Sequence, residues 1–391
     1  MGLTPEWRFS LYYAALFASI GSIGPFFAVW LDSQGIDART IGIIVAAPSI
    51  AMLLTTVRIG RWADEIGSRR TAIITGNALV LAAQLVFFWP LGAWTILAIW
   101  TFSGIIMFAK VPITDAAAIS LTEQRNTDFA RVRVFGSIGF VVALILSGMV
   151  YERLGMMAFV PILLLGNILR LWLAIELPTV PRRQTTNNNL NQANALSESQ
   201  TSLYQVGILL TIFASALINA SHAVFNTFGI LLWTQQGLSE TTASLLVGIG
   251  VIAEILLMWR FKSLTRRISA RTCLVIAAIC GIVRWSLLGL APATWLVFVV
   301  QALHGITFGL TYLATASFIA RRVGETNAAR GQALSATVMT GLMAAMVYVS
   351  GYYFDALGMK LYWIMSGLCA LSIVLILASY KTSLDKSSIQ N

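Results

Sequence analysis

Charge is what this sequence has least of. Only 11% of its 391 residues are Asp, Glu, Lys or Arg, while 58% are hydrophobic. A water-soluble domain carries about 25% charged residues. So small a polar inventory cannot cover a water-soluble globule, and lipid must be the solvent. Histidine occurs twice and cysteine three times. Cys273, Cys280 and Cys369 stand singly in apolar runs, with no CxxC pair or Cys/His cluster. Neither a disulfide framework nor a zinc site is expected, and no cofactor is implied. GxSxG, HExxH and Walker motifs are also missing, which argues against an enzyme. The net charge of +10 would suit a nucleic-acid partner, but the basic residues lie in short loops between apolar runs, so no nucleic acid is expected.

What the chain has is apolar length. A membrane helix needs about 20 apolar residues. Twelve runs qualify: 8–31, 40–59, 71–90, 94–121, 131–151, 157–177, 204–233, 240–259, 272–290, 294–320, 330–354 and 361–380. Long continuous apolar runs favour helix over strand, so the expected fold is an all-α membrane protein. The first run is too long for a signal-peptide core and reads as a span. With a cytoplasmic N-terminus, nineteen Lys and Arg fall in cytoplasmic loops and tails, three (Arg39, Arg153, Lys360) fall opposite, and four lie within spans. That asymmetry predicts both termini inside, in a multi-pass protein of the cell's inner (plasma) membrane. Residues 178–203 are polar and rich in Asn and Gln, and read as a cytoplasmic linker. They separate an N-terminal six-helix bundle, 1–177, from a C-terminal bundle with a short tail, 204–391.

The two halves resemble one another. SGMVYERLG at 147–155 recurs as SGYYFDALG at 350–358, an offset of 203. Two parallel six-span repeats predict a cavity between them and alternating access. Inside the spans lie Lys110, Asp115, Arg133, His222, Glu254, Arg284 and His304. A charge at a helix centre costs about 2.5–3.5 kcal/mol on insertion scales and marks a functional site by default. Structural pairing between helices is the competing account of each. Asn219, His222 and Asn226 share one face of a continuous helix. Lys110 lies five residues before Asp115, about 140° round the helix. Snorkelling, interhelical pairing and substrate binding all stand open for it.

The segment GRWADEIGSRR, Gly60 to Arg70, resembles the signature between spans two and three of the major facilitator superfamily. Gly60, Asp64, Gly67 and Arg69 match it, Arg70 adds a basic residue, and Glu65 and Ser68 depart from it. The resemblance implies a gate latch, in which a carboxylate and guanidinium groups join helix ends in one conformer; a solvated, orientation-setting loop is the alternative. The intramembrane set is similar to the lactose permease branch. Asp115 precedes Arg133 by eighteen residues, Phe140 follows Arg133 by seven, and Glu254, Arg284 and His304 keep the branch's order with twenty residues between the last two. Where the branch carries a proton-carrying glutamate and a lysine, this chain has Thr307 and Gln301. VPITDA, FARVRVFGS, GVIAE and ALHGITF resemble the phenylpropionate permease group more closely still.

That resemblance implies a secondary transporter that takes up a small carboxylate, an aromatic one among the candidates, with protons; a monomer surrounded by the lipid bilayer is expected. Arg133, Phe140, Asp115, Arg284, Asn219 and His222 are the implied substrate-binding residues. Glu254, His304 and Asp115 are the implied proton-coupling residues. A guanidinium can take a carboxylate through two bonds, and Phe140 or Trp285 can pack on a ring. Symport of a sugar or nucleoside, and efflux of hydrophobic compounds, remain the alternatives.

Overall fold

The computed structural model describes residues 2–65, 68–180, 203–265 and 268–384; most of the expected linker lies outside them. Among the described residues all regular structure is helical. The elements are α1 (Pro5–Ile23), α2 (Phe27–Ser33), α3 (Ala38–Glu65), α4 (Arg69–Gln84), α5 (Ala93–Gln124), α6 (Phe129–Leu154), α7 (Phe159–Ile175), α8 (Val206–Ala220), α9 (Ala223–Gln235), α10 (Glu240–Thr265), α11 (Ala270–Gly289), α12 (Thr294–Gln301), a π-helical turn (Gly305–Leu310), α13 (Thr311–Tyr352), α14 (Phe354–Leu357) and α15 (Leu361–Leu384). Eleven spans are long and apolar enough to cross a membrane, and the bent pair α1–α2 makes a twelfth. The chain divides into two compact units: residues 1–184 with 227–245, and residues 185–226 with 246–391.

Several expected spans are not continuous α-helix: the third ends and the sixth begins in a 3-10 turn, Leu85–Phe88 and Met156–Ala158, and three others are interrupted along their length. The first bends by 42° at Pro25, which has no N–H to offer and whose ring crowds the preceding turn. Short-range bonds bridge the gap, Phe26 N–H to Ile23 O at 3.2 Å and Phe27 N–H to Gly24 O at 3.3 Å. The seventh breaks at Ser221 and His222 without a proline. Both side chains compete for a helix carbonyl, Ser221 Oγ donating to Ile218 O at 2.6 Å and His222 Nδ1 lying 3.1 Å from the same oxygen. Such local side-chain bonds offer the backbone an alternative to the helical ladder. The tenth passes from α12 into a π turn at Gly305–Leu310, a distortion that concentrates at functional sites.

The loop expected between spans ten and eleven is helical instead. Its segment RRVGETNAAR has no proline and is rich in good helix formers. The helix nevertheless turns back on itself. Gln332 Nε2 donates to Ala316 O at 3.1 Å, although sixteen residues of straight helix would span about 24 Å.

Within the first unit α1 and α6 meet backbone to backbone. A Cβ on Gly139 would lie 2.3 Å from Ala14 O, and one on Gly21 would lie 2.4 Å from Phe140 O. Small residues permit such close approach in lipid, where packing replaces the hydrophobic effect as the driving force. Phe9, Tyr12, Leu16, Ile73, Ala118 and Leu121 fill the core beside this crossing. In the second unit Ile218, Cys273, Leu274, Ala278, Leu310 and Ile376 form the equivalent core.

Candidate functional site

The first unit holds a half-buried acid–arginine pair. Asp115 on α5 accepts from Tyr13 Oη at 2.6 Å, and Arg133 Nε on α6 lies 3.8 Å from the same carboxylate oxygen. The guanidinium carbon sits 4.1 Å from the Phe17 ring centroid and 5.3 Å from that of Tyr13. Cations are attracted to aromatic faces at such distances. Phe140, two helical turns beyond Arg133 on α6, returns to the same side of the helix and is partly buried. Tyr13 and Phe17 were not among the expected site residues. Their spacing of four on α1 is the signal that could have found them, because it places both on one face.

The second unit centres on Arg284, which is 0% exposed. Its Nη2 donates to Gln301 Oε1 at 2.6 Å, and its Nη1 donates to Thr307 Oγ1 at 2.9 Å and to His304 Nδ1 at 3.1 Å. Trp285 and Phe225 present ring faces 4.3 and 4.8 Å from the guanidinium carbon. Nε is buried with no hydrogen-bond partner among the described residues. Gln301 and Thr307, the two places where the lactose permease pattern fails, are thus two of the acceptors that hold this arginine.

These bonds select the histidine tautomers. Arginine only donates, so His304 Nδ1 accepts and the hydrogen of the neutral ring sits on Nε2, 3.8 Å from Glu254 Oε2. His222 Nδ1 faces the carbonyls of Ile218 and Asn219 at 3.1 and 3.3 Å, so it carries the hydrogen. Its Nε2 therefore accepts from Thr307 Oγ1 at 3.1 Å. Arg284 reaches Glu254 through His304, and His222 through Thr307. Glycine lets this turn lie close against α10, since a Cβ on Gly305 would lie 2.6 Å from Ala253 O.

Other expected residues fall elsewhere. Asn219 ends α8 with Nδ2 donating to Ser215 O at 3.0 Å, and its Oδ1 is buried without a partner among the described residues. The break at His222 removes the shared face expected for Asn219, His222 and Asn226: the first two are buried, whereas Asn226 is exposed on α9. Lys110 does not snorkel. It is 2% exposed and its Nζ donates to Asn77 Oδ1 on α4.

Of the gate-latch residues, Gly60 and Asp64 lie on α3 with their side chains outside the description, and Gly67 lies outside the described residues. Arg69 Nη1 donates to Ala116 O at 3.0 Å and Ser120 Oγ at 2.9 Å on α5, and Arg70 Nη2 donates to Ile175 O at the end of α7. Cations are favoured at helix C-termini.

The chain is similar to known transporters over nearly its whole length. A probable 3-phenylpropionic acid transporter of Escherichia coli (strain K12) is 30% identical over 367 residues, covering 91% of this chain and 93% of that one. A crystal structure of the nucleoside transporter NupG superposes with a TM-score of 0.79 at 16% identity, covering 97% of this chain and 99% of that one. A D-xylose-proton symporter gives 0.72 at 12% identity, covering 96% and 97%. At those identities the two structures bear on the fold alone. The model of the MFS_1 like family matches residues 6–365. The chain belongs to that family and is a multi-pass membrane transporter of the major facilitator type, not an enzyme.

Proposed function

We propose that the protein is a proton-coupled symporter for a small organic anion, an aromatic carboxylate of the 3-phenylpropionate kind, working by alternating access. The observation that carries this reading is Arg284. A fully buried guanidinium is surrounded by neutral acceptors and aromatic faces, with two of its five N–H groups to spare. A buried charge needs a counter-charge or dense hydrogen bonding, and a substrate carboxylate supplies the former. Arg133 and Phe140 take a share in binding, with Asp115 setting the charge beside Arg133. Glu254, in contact range of His304 Nε2, carries the coupled proton. The relative named for 3-phenylpropionic acid supports the same substrate class.

The bundle 1–177, the linker 178–203 and the bundle 204–391 are the two halves and hinge of this carrier. It acts as a monomer in the cell's inner membrane with both termini cytoplasmic, and the segment from Gly60 to Arg70 latches its gate.

The test is uptake of labelled 3-phenylpropionate into proteoliposomes under an imposed pH gradient. Accumulation that follows the gradient is expected; uptake indifferent to it sinks the coupling. A second reading, symport of a neutral sugar or nucleoside, draws on the Asp115–Arg133 pair, whose charges already compensate one another. Thermal-shift titration with an aromatic acid, a disaccharide and a nucleoside separates the two.

A further inference from the structure

The first unit contains a second polar cluster that neither the Arg133 pair nor the Arg284 network uses. Lys110 on α5 and Arg170 on α7 are each 2% exposed and lie within Coulombic range of one another. No carboxylate among the described residues pairs with either. Arg170 Nη2 donates to Asn167 Oδ1, and Asn167 Nδ2 donates to Gln84 Oε1 at 2.6 Å. Lys110 Nζ donates to Asn77 Oδ1, whose Nδ2 donates to Tyr12 Oη at 3.0 Å. Every partner is neutral, so neither buried basic group has a counter-charge among the described residues. Burying even one charge without a counter-charge costs several kcal/mol.

A cavity of about 320 Å³ adjoins the Arg170 end of this cluster. Arg170, Asn167, Gln84 and Ser103 line it, with Trp100 and Phe108 among its apolar walls. Two lining residues carry a buried polar atom with no partner among the described residues, Arg170 Nε and Ser103 Oγ. Orphaned buried donors are rare in folded proteins. Two of them, on residues lining one cavity and one belonging to a buried arginine with no counter-charge, call for an acceptor that the chain does not supply.

We infer that this cavity is a binding site for a small monocarboxylate with an apolar or aromatic body. The carboxylate sits at Arg170 and Ser103, Lys110 contributes its field, and the body packs against Trp100. The site lies wholly within the first unit, is separate from Arg133 and Arg284, and does not rest on the transport reading. Ligand pockets of this kind are mainly apolar, with a few placed polar groups that fix orientation.

The test is equilibrium binding of 3-(4-bromophenyl)propionate to the purified full-length protein, read as quenching of tryptophan fluorescence by the bromine. Saturable quenching is expected, with a component that disappears in Trp100→Phe. Arg170→Gln should weaken that component at least tenfold and Ser103→Ala about threefold, while Arg133→Ala leaves it within twofold. The uncharged amide of the probe should not bind there. If Arg170→Gln fails to assemble, Ser103→Ala, which removes only a hydroxyl, decides alone. Absence of saturable quenching, wild-type affinity in Ser103→Ala, equal binding of the amide, or loss of the Trp100 component in Arg133→Ala would each overturn the inference. Proton-driven uptake is a separate measurement, so either idea can fail without the other.

Discussion

Arg284 Nη1 donates to His304 Nδ1 at 3.1 Å, and that bond orients the other face of the ring toward Glu254. The nitrogen that faces the arginine must keep its lone pair. A second proton there would set N–H against N–H, so in this arrangement the ring stays neutral, with its one hydrogen on Nε2 facing Glu254. On the proposed reading, this one imidazole stands between the binding cation, Arg284, and the coupling carboxylate, Glu254.

Glu254→Gln keeps the size of the side chain but cannot release a proton. Uptake driven by a pH gradient should fall at least tenfold in proteoliposomes, while substrate counterflow continues. Wild-type accumulation under the gradient would remove Glu254 from the coupling path.

Thr307→Val removes an acceptor from Arg284 and a donor from His222 while preserving shape. Leaving buried polar groups unpaired costs about 1–3 kcal/mol. The unfolding midpoint in detergent should fall accordingly, and Thr307→Ser should restore most of it. An unchanged midpoint in Thr307→Val would mean that the hydroxyl does not hold this network together.

Tyr13→Phe removes the donor that steadies Asp115 at 2.6 Å. A hydrogen bond to a charged group contributes about 1.5–3 kcal/mol, and part of that orients the carboxylate beside Arg133. The Km for uptake should rise about threefold or more, with expression unchanged. Arg133→Ala should cost more than Tyr13→Phe, because it removes the cation itself.

Asp37 caps α3 outside the spans. Its Oδ1 accepts from Thr40 N–H at 3.0 Å and its Oδ2 from Thr40 Oγ1 at 2.7 Å. Those bonds hold its carboxyl below the ordinary 3.8. A carboxyl lowered in the folded state contributes stability above its unfolded pKa and loses it as pH falls through the folded one. Asp37→Ala should therefore cost about 0.5–2 kcal/mol at pH 7. The gap from wild type, followed by thermal unfolding, should narrow below about pH 4. A gap that persists unchanged in acid would assign the loss to something other than the cap.

Gly139→Val would drive a side chain into Ala14 O, 2.3 Å from the position of a Cβ. Backbone cannot give as a flexible side chain can, and overpacking costs about 1–3 kcal/mol or more. Size-exclusion profiles in detergent should show aggregation or a lowered midpoint. A monodisperse protein of wild-type stability would mean that α1 and α6 can separate without loss.

Much of the fold was legible because it depends on local pattern. Twelve apolar runs required twelve spans, and the structure has eleven with a bent twelfth. The bend at Pro25 follows from one residue's chemistry. The break at Ser221 and His222 did not announce itself, because Ser and His are ordinary in a membrane helix until their side chains take a backbone carbonyl. The reversal between spans ten and eleven was legible from their two apolar runs; what the pattern missed is that the connection is helical, since it holds no proline and several good helix formers.

The candidate site divides along the same line. The sequence alone identified Asp115, Arg133, Glu254, Arg284 and His304 as unusual, because a polar group in an apolar run is costly wherever it points. It could not say that Gln301 and Thr307 would accept from Arg284, that Tyr13 would donate to Asp115, or that Lys110 and Arg170 would share one buried region sixty residues apart in the chain. Those pairings depend on the rotation of each helix about its axis and on which helix lies beside it. Hydropathy constrains neither, and contacts between helices settle both. What the sequence determined by itself was the solvent, the number of crossings and the identity of the expensive residues. Only the tertiary structure decided which of them meet.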